Sequence, residues 1–452
     1  MTLVDPSPAF KVSRRIYHDP EVHSRELKRV FRPSWLFVAH ESEVAEPGDY
    51  VTRVLGTDPV IVTRDEQGKV HVLLNSCRHR GVPLCRSDLG NSSHFRCSYH
   101  GWTYANTGDL RGVTYQVEVY GPDFDKRAFG LYRAPHVEVL YGLIFASWDP
   151  EAAPLVDVLG PQAYYLEAIF GKFDRGLEVM GAPVRTRMAV NWKPDTENLA
   201  GDGYHTLVTH GTGVVFGLFP TADTVAHLGE VTGAKFRGRT VDCANGNTVR
   251  VQHLPLVTDG PKFYGYPEEL WPEIEHNLSP GQVDMQSRLS VTHGNVFPNF
   301  SFLENFKTGA LGPGSMCRYI RLTLKVPLAH DRTEVWWWHL VPKDASEEWK
   351  THSQKAYNAT NGPAGMFEVD DGENFLGITE ANRGPVAAGG SYTLLAGLHK
   401  AEAEGLEWPG VVQEADRSEH TLRALLRRYH ELMEPGVEGP VAETAPEREV
   451  RQ

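Results

Sequence analysis

Cysteine is scarce, five in 452 residues. An odd count this small cannot build a disulfide framework, so cysteines are read first as metal or redox chemistry in a reducing compartment, and a cytoplasmic location is expected. No apolar run reaches the roughly 18 residues that span a bilayer, which excludes a helical membrane protein. The opening MTLVDPSPAF has no basic start followed by an apolar stretch, so no secretory signal is expected. Basic residues are outnumbered, 45 against 58 acidic, for a net charge of −13, which argues against a nucleic-acid partner. No internal repeat and no G-x-G-x-x-G following a strand occurs, so a nicotinamide or flavin site in this chain is not expected. With 41% hydrophobic and 23% charged residues, the composition is that of a globular protein.

What is present falls into zones. A helix is predicted around Glu21–Phe31. Short apolar runs split by turn residues follow, among them Pro59–Thr63, Val70–Leu74 and Tyr141–Ser147, and predict a small all-β domain. A helix led by Pro161 covers 161–170. Tyr319–Val326 and Glu334–Val341 predict a hairpin joined by Pro327–Thr333, long enough for a broad antiparallel sheet. Further helices are expected near Asn191–Thr209, Ser346–Asn358, Asp371–Asn382 and Ser418–Met433, the last with an apolar face. Residues 434–452, rich in Glu, Pro and Gly, are expected to be a frayed tail.

Two segments of the small β domain carry chemistry: Cys77-Arg-His79-Arg-Gly81 and Cys97-Ser-Tyr-His100-Gly-Trp102. The pattern is C-x-H, seventeen residues, then C-x-x-H. Each loop offers one thiolate and one imidazole. Replacing two of the four thiolates of a two-iron, two-sulfide cluster by neutral imidazoles raises its potential by hundreds of millivolts, as in Rieske centres. A structural Cys2His2 zinc site is the competing reading, but zinc fingers place the two cysteines together and the two histidines together. Position 99 is Tyr, so the disulfide cysteine of respiratory Rieske proteins is missing there, and Cys85, Cys243 and Cys317 are read as packing thiols.

A cluster alone needs about a hundred residues, whereas some three hundred follow. They contain Asn191-Trp-Lys, Glu197-Asn198, Asp202, His205 and His210, with Asp370-Asp371 far downstream. Two histidines and a carboxylate leave open positions on iron(II), the arrangement of non-haem oxygenases. His205 and His210 are five apart, about 140° around a helix, so a break near Gly211 or a distortion at Gly203 is needed to bring them together. Taken alone, the pair also fits two unrelated histidines near a helix end. Asp202, one turn before His205, can orient that imidazole and raise its basicity, or stand solvated on the helix face.

Together, the two sites resemble the large (α) subunit of the Rieske non-haem iron aromatic-ring-hydroxylating dioxygenases, the naphthalene, biphenyl and polycyclic aromatic hydrocarbon group. The resemblance runs from His40-Glu41 through Asn374, and N-W-K…E-N…D-x-x-H-x4-H matches Asn191 to His210. It implies Cys77, His79, Cys97 and His100 as ligands of a [2Fe–2S] cluster. It further implies His205, His210 and Asp371 as ligands of a mononuclear Fe(II), with Asp370 the competing third ligand. Asn198 is implied as a polar neighbour of the iron. Asp202 is implied to link His205 to a cluster histidine, His100, of a neighbouring subunit. The implied fold is α+β: a Rieske β-sandwich domain, 40–155, inserted in a helix-grip catalytic domain, 1–39 and 156–433. The latter has a large antiparallel sheet with helices over one face.

The implied reaction converts an arene, dioxygen, two electrons and two protons into a cis-dihydrodiol. The implied partners are a small β subunit in an α3β3 assembly, and a ferredoxin and reductase that use NADH. Segments expected to line the cavity, 201–230, 289–306 and 366–382, hold no Lys or Arg. A carboxylated ring such as phthalate or salicylate calls for a cation there, so a neutral hydrocarbon is the expected substrate. Leu207, His293, Asn295 and Phe367 are the expected contacts to it. The alternatives are an oxygenase acting on an aromatic acid and a non-catalytic electron carrier.

Overall fold

A computed structural model describes residues 3–6, 10–215, 237–253, 262–308, 316–403, 408–415 and 417–433. The expected tail, 434–452, lies outside them. The chain divides into two compact units. One comprises Ser24–Val139, Ile144–Pro154 and Tyr429–Gln452, the other Met1–His23, Leu140–Leu143 and Leu155–Arg428.

In the first unit, Val70–Leu74, Asp58–Arg64, Asp49–Leu55 and Leu89–Asn91 form a four-stranded antiparallel sheet in that order. Leu110–Gly112, Thr103–Ala105 and His94–Arg96 form a second, three-stranded one. Ile61 and Leu73 of the first sheet share a buried core with Phe95, Tyr104 and Leu110 of the second, and with Cys77, Cys97 and Trp102. Val and Ile alternate on these short strands, and burying one face between two sheets is what holds them. The two cysteine boxes lie on loops at one end of this core.

The second unit is built on nine antiparallel strands: β1 (Leu177–Val179), β2 (Val184–Met188), β3 (Arg237–Asp242), β4 (Thr248–His253), β5 (Leu289–Val296), β6 (Phe300–Thr308), β7 (Met316–Ala329), β8 (Arg332–Pro342) and β9 (Val411–Gln413). Their order is β1-β8-β7-β6-β5-β4-β3-β9, with β2 also on β8. The expected hairpin is β7–β8, but it runs further than predicted. Pro327 pairs with Thr333 and Ala329 with Arg332, so the turn shrinks to His330-Asp331. A register shift at Pro327 absorbs its missing N–H.

Strand β7 alternates Ile320, Leu322, Leu324 and Val326 on one face with Tyr319, Arg321, Thr323 and Lys325 on the other, and both rows are buried. Helices therefore cover both faces, which corrects the expectation of helices over one. Helix α1 (Gln162–Phe170) sets Phe170 against Phe302, whose register partner is Leu322. Helices α2 (Trp192–Leu199) and α5 (Met366–Ala381) meet the polar row: Asp195 of α2 lies 3.8 Å from Lys325, and Glu368 of α5 pairs with Arg321. Between these two in sequence, α3 (Thr206–Thr209) carries the histidine turn, and α4 (Glu347–Ala359) stacks Tyr357 on His339 of β8.

The helix expected over Asn191–Thr209 is interrupted. Asn191 caps α2 by accepting from the Lys193 N–H at 3.0 Å, and its own N–H donates to Thr379 Oγ1 of α5. Helix α2 stops at Leu199 because Gly201 takes φ +136°, a conformation side chains rarely adopt. Asp202 Oδ1 then accepts from the N–H groups of Tyr204 and His205, which opens the turn leading into α3. One break thus falls at Gly201, before the histidines, and a second at His210, which ends α3 ahead of a separate short helix, Gly211–Val215, as the expected break near Gly211 requires.

Candidate metal centres

The two cysteine loops repeat one construction. The Gly81 N–H donates to the Cys77 carbonyl at 2.8 Å and the Gly101 N–H to the Cys97 carbonyl at 3.0 Å, with φ +74° and +73° at the two glycines. Only a residue without Cβ closes such a turn without strain. Both thiols are buried, while His79 and His100 are half-buried at the rim, their rings 4.4 Å apart. Trp102 stacks on His79 at 5.2 Å and Tyr99 lies against His100 at 3.8 Å. Burial, then His100 and Arg80, lower the His79 pKa, which favours the neutral imidazole a Rieske cluster requires. His79 Nδ1 is buried without a hydrogen-bond partner among the described residues, as expected of a nitrogen awaiting a metal. Two buried thiols and two half-buried imidazoles fit a cluster whose irons differ in ligand type.

Tyr104 was not foreseen. Its hydroxyl lies 3.4 Å from Cys77 Sγ and accepts from the Arg78 N–H at 3.1 Å. Arg78 stacks over Tyr132 at 3.9 Å and Arg80 sits 5.9 Å above Tyr99, so both cations meet rings. All five cysteines are free; burial pushes Cys85 and Cys317 up to about 12, consistent with inert packing thiols.

In the second unit, His205 precedes α3 and His210 follows it, so one short turn separates them. Their Nε2 atoms lie 3.5 and 3.4 Å from the same oxygen, Oδ1 of Asp371 on α5. One ligand atom from each of the three falls within 4.8 Å of the others. The outer nitrogens face carboxylates as well: His205 Nδ1 lies 3.3 Å from Asp202 Oδ2, and His210 Nδ1 lies 3.4 Å from Asp370 Oδ2. Asp370 therefore stands behind His210 as Asp202 stands behind His205, a role the sequence reading did not consider for it. Carboxylates in these positions fix the tautomer and aim Nε2 at a metal. Asn198 Nδ2 lies 3.3 Å from His205 Nε2, on the metal-facing side.

The electrostatics suit a cation. Burial pushes the Asp371 carboxyl up to about 7 against the pull of His205 and Arg321. Burial, with His205 beside it, takes His210 down to about 4. At His205 burial is outweighed by Asp202 and Asp371, which raise it. A buried carboxylate short of counter-charge beside two imidazole nitrogens is the donor set of non-haem iron.

The sheet contributes a registered row under this site: Arg250, His293, Leu303, Arg321 and His339, one from each of β4 to β8. His293 is tied on both sides, to the Leu199 carbonyl at 3.1 Å and to Arg250 at 3.1 Å; burial and Arg250 hold it neutral, down to about 3. Asn295 is buried and accepts from Ser301 at 3.0 Å. Phe367 lies with its ring 4.9 Å from that of His210. The side chains of Leu207, Val214 and Val215, and all of Phe216–Phe219, lie outside what the structure describes.

A buried cation from another segment stands near the histidines. Arg250 arrives on β4, outside the three segments inspected, is 2% exposed, and its charge is felt at His205. Its signal in the sequence is an arginine in a short strand, Thr-Val-Arg-Val, which alternation alone cannot assign to a buried face. Three other histidines have local partners: His71 with Asp65 at 2.7 Å, His94 with Ser93, and His339 with Ser353 at 3.0 Å.

Comparison with known proteins adds two matches by family. Residues 34–123 match the Rieske [2Fe-2S] domain, and residues 177–434 match the ring hydroxylating alpha subunit (catalytic domain). The large oxygenase component of a naphthalene 1,2-dioxygenase system from Ralstonia sp. is 35% identical over 92% of this chain and 90% of its own length. The alpha subunit of a benzene 1,2-dioxygenase from Pseudomonas putida is 32% identical over 94% and 91%. The crystal structure of naphthalene 1,2-dioxygenase from Rhodococcus sp. bound to indole superposes with a TM-score of 0.87 at 38% identity, covering 94% of each chain.

Proposed function

The chain belongs to the family of ring-hydroxylating dioxygenase large subunits, and from that premise we propose that it cis-dihydroxylates a neutral polycyclic aromatic hydrocarbon of the naphthalene or phenanthrene class. It is the large oxygenase component of a multicomponent system and carries a Rieske cluster and a mononuclear iron. Cys77, His79, Cys97 and His100 would hold the cluster; His205, His210 and Asp371 would hold the iron. Iron(II) in such a set supplies dioxygen activation beside the substrate, and the cluster supplies the electrons.

The observation that carries this reading is the convergence of two Nε2 atoms on one carboxylate oxygen, with the Phe367 ring beside His210. Asp202 and Asp370 keep both imidazoles in the tautomer that leaves Nε2 open inward. Asn198 offers an amide on the metal side, and Phe367 excludes water beside His210. Asp202, its side chain 38% exposed, also has a free flank on which a neighbouring subunit's cluster can dock and pass electrons to His205.

The proposed assembly is α3β3 with a small β subunit, supplied with NADH-derived electrons by a separate reductase and ferredoxin in the cytoplasm. Among the described residues, no helix is long and apolar enough to cross a membrane. Segment 40–155 is read as inserted between 1–39 and 156–433, with 434–452 as a tail.

Arg250 favours a second reading, an aromatic carboxylate held by that cation. One experiment separates them: dioxygen uptake and product analysis with naphthalene, phenanthrene, biphenyl and phthalate, for the wild type and His210→Ala. Dihydrodiols from the neutral arenes, lost in the variant, support the first reading; turnover of phthalate alone establishes the second. Cluster reduction with no oxygen uptake on any substrate overturns both.

A further inference from the structure

Helix α5 starts without a side-chain cap. Gly365 stands at its N-cap, and the chain before it is a tight turn in which the Gly365 N–H donates to Gly362 and the Phe367 N–H to Thr360. Something else must set the rotation of this helix, because rotation decides which side of it faces the histidines. The sheet supplies that constraint. Arg321, 1% exposed in the registered row, donates to the carboxylate of Glu368 in the first turn of α5 and to the Asn361 carbonyl at 3.2 Å. Asn361 is held in turn by the Tyr319 hydroxyl at 2.7 Å, and its amide reaches Glu368 Oε1 at 3.5 Å. One guanidinium nitrogen, Nη1, thus ties strand β7 to the helix and to the turn before it, at a reach one bond longer than a lysine side chain has.

We infer that the Arg321–Glu368 pair is the positioning device that fixes the rotation of α5, and so selects Asp371 over Asp370 as the carboxylate presented to iron. This rests on the reading of His205, His210 and Asp371 as the iron site. At about 100° per residue, Glu368 and Asp371 lie about 60° apart on one face, while Asp370 lies about 160° from Glu368. Clamping Glu368 to the sheet therefore turns Asp371 inward. It leaves Val369 58% exposed and Asp370 on the flank, behind His210 Nδ1. Turning the helix by one residue would bring Asp370 to the place of Asp371, and two adjacent carboxylates give the chain no local means of preventing it.

The test uses the full chain with its cluster. In Arg321→Met/Glu368→Met the pair is replaced by apolar side chains, a change that often preserves stability where breaking one partner does not. Iron affinity is read by competition with a ferrous chelator, and site symmetry from the electron paramagnetic resonance of the nitric-oxide adduct. Cluster absorbance and melting temperature report folding. The double variant is expected to keep its cluster and melting temperature, to bind iron 10- to 100-fold more weakly, as when a ligand's supporting partner is lost, and to give a broadened adduct signal. Arg321→Lys and Glu368→Gln should weaken iron binding in the same direction, and they carry the test if the double variant does not fold. Wild-type iron affinity in folded variants, or losses that merely follow the melting temperature, would overturn the inference. Asp371→Ala separates the two levels: iron loss there with tight binding in the clamp variants defeats only the positioning role. Iron retained in Asp371→Ala defeats the iron-site reading, and the inference with it.

Discussion

Replacing Gly201 by alanine places a methyl group where the chain leaves α2 for the histidine turn. Two costs can be read from the structure. Gly201 has φ +136°, and a non-glycine residue held in so sparsely populated a region costs about 1–3 kcal/mol. The added Cβ would also lie 2.5 Å from Thr421 Oγ1 and 3.2 Å from Thr421 Cβ, and overpacking of this kind costs about 1–3 kcal/mol more. The sum, about 2–6 kcal/mol, corresponds to a fall in Tm of about 4–12 °C at roughly 2 °C per kcal/mol for a domain of this size. If the turn relaxes instead of straining, His205 moves, so iron should be lost more readily than the cluster. Thr421→Ala removes the hydroxyl and the methyl but leaves Cβ and the dihedral. The double variant Gly201→Ala/Thr421→Ala should therefore recover part of the second cost and none of the first. Thermal unfolding with iron and sulfide analysis of the three proteins measures this. A single variant that melts within about 1 °C of wild type with full iron, against the several degrees expected, would refute the claim that the break at Gly201 builds the site.

Asp202→Asn should retain both metals and a cluster reducible by the donor, while turnover falls 10- to 100-fold or more, since the charge beside His205 Nδ1 is gone; iron loss or near-normal turnover would contradict it. Tyr104→Phe removes the hydroxyl 3.4 Å from Cys77 Sγ and should lower the cluster's reduction potential in a redox titration, because a donor to sulfur favours the more negative reduced state; an unchanged potential would deny that the hydroxyl donates. Burial, against Lys193 and with Asp202, pushes Glu197 up to about 8, and Tyr17 meets both its oxygens at 2.7 and 2.9 Å. Its folded-state pKa is raised, so the folded chain holds a proton that the unfolded chain releases above about 4.5, and wild-type stability falls as pH rises from about 4.5 through about 8. Glu197→Gln should flatten that decline by at most about 5 kcal/mol, and by less because part of the residue reaches solvent; urea unfolding at pH 5 and pH 8 that changes equally in both proteins would count against it.

The cluster loops were legible in the sequence because they are local. Cys77 and His79, and Cys97 and His100, are each set by a few residues and a glycine at positive φ, so spacing alone carries the ligand type and order. His205 and His210 were legible for the same reason, and so was the need for a break beside them. The break near Gly211 is there, but the earlier one at Gly201 was not legible, because packing against Thr421 and the turn opened by Asp202 create it. Period-two alternation in β7 told which residues share a face but not what covers it. Arg321 and Lys325 are buried because α2 and α5 lie over them, with Asp195 and Glu368 as counter-charges. Arg250 comes beside His293 because β4 meets β5 through a register that hydrogen bonding between distant segments decides. The order of ligand types along the chain thus belongs to the sequence. Which of two neighbouring aspartates faces the histidines, and where Arg250 is buried, belong to the tertiary structure, because both depend on how a helix is turned and which strand lies beside which.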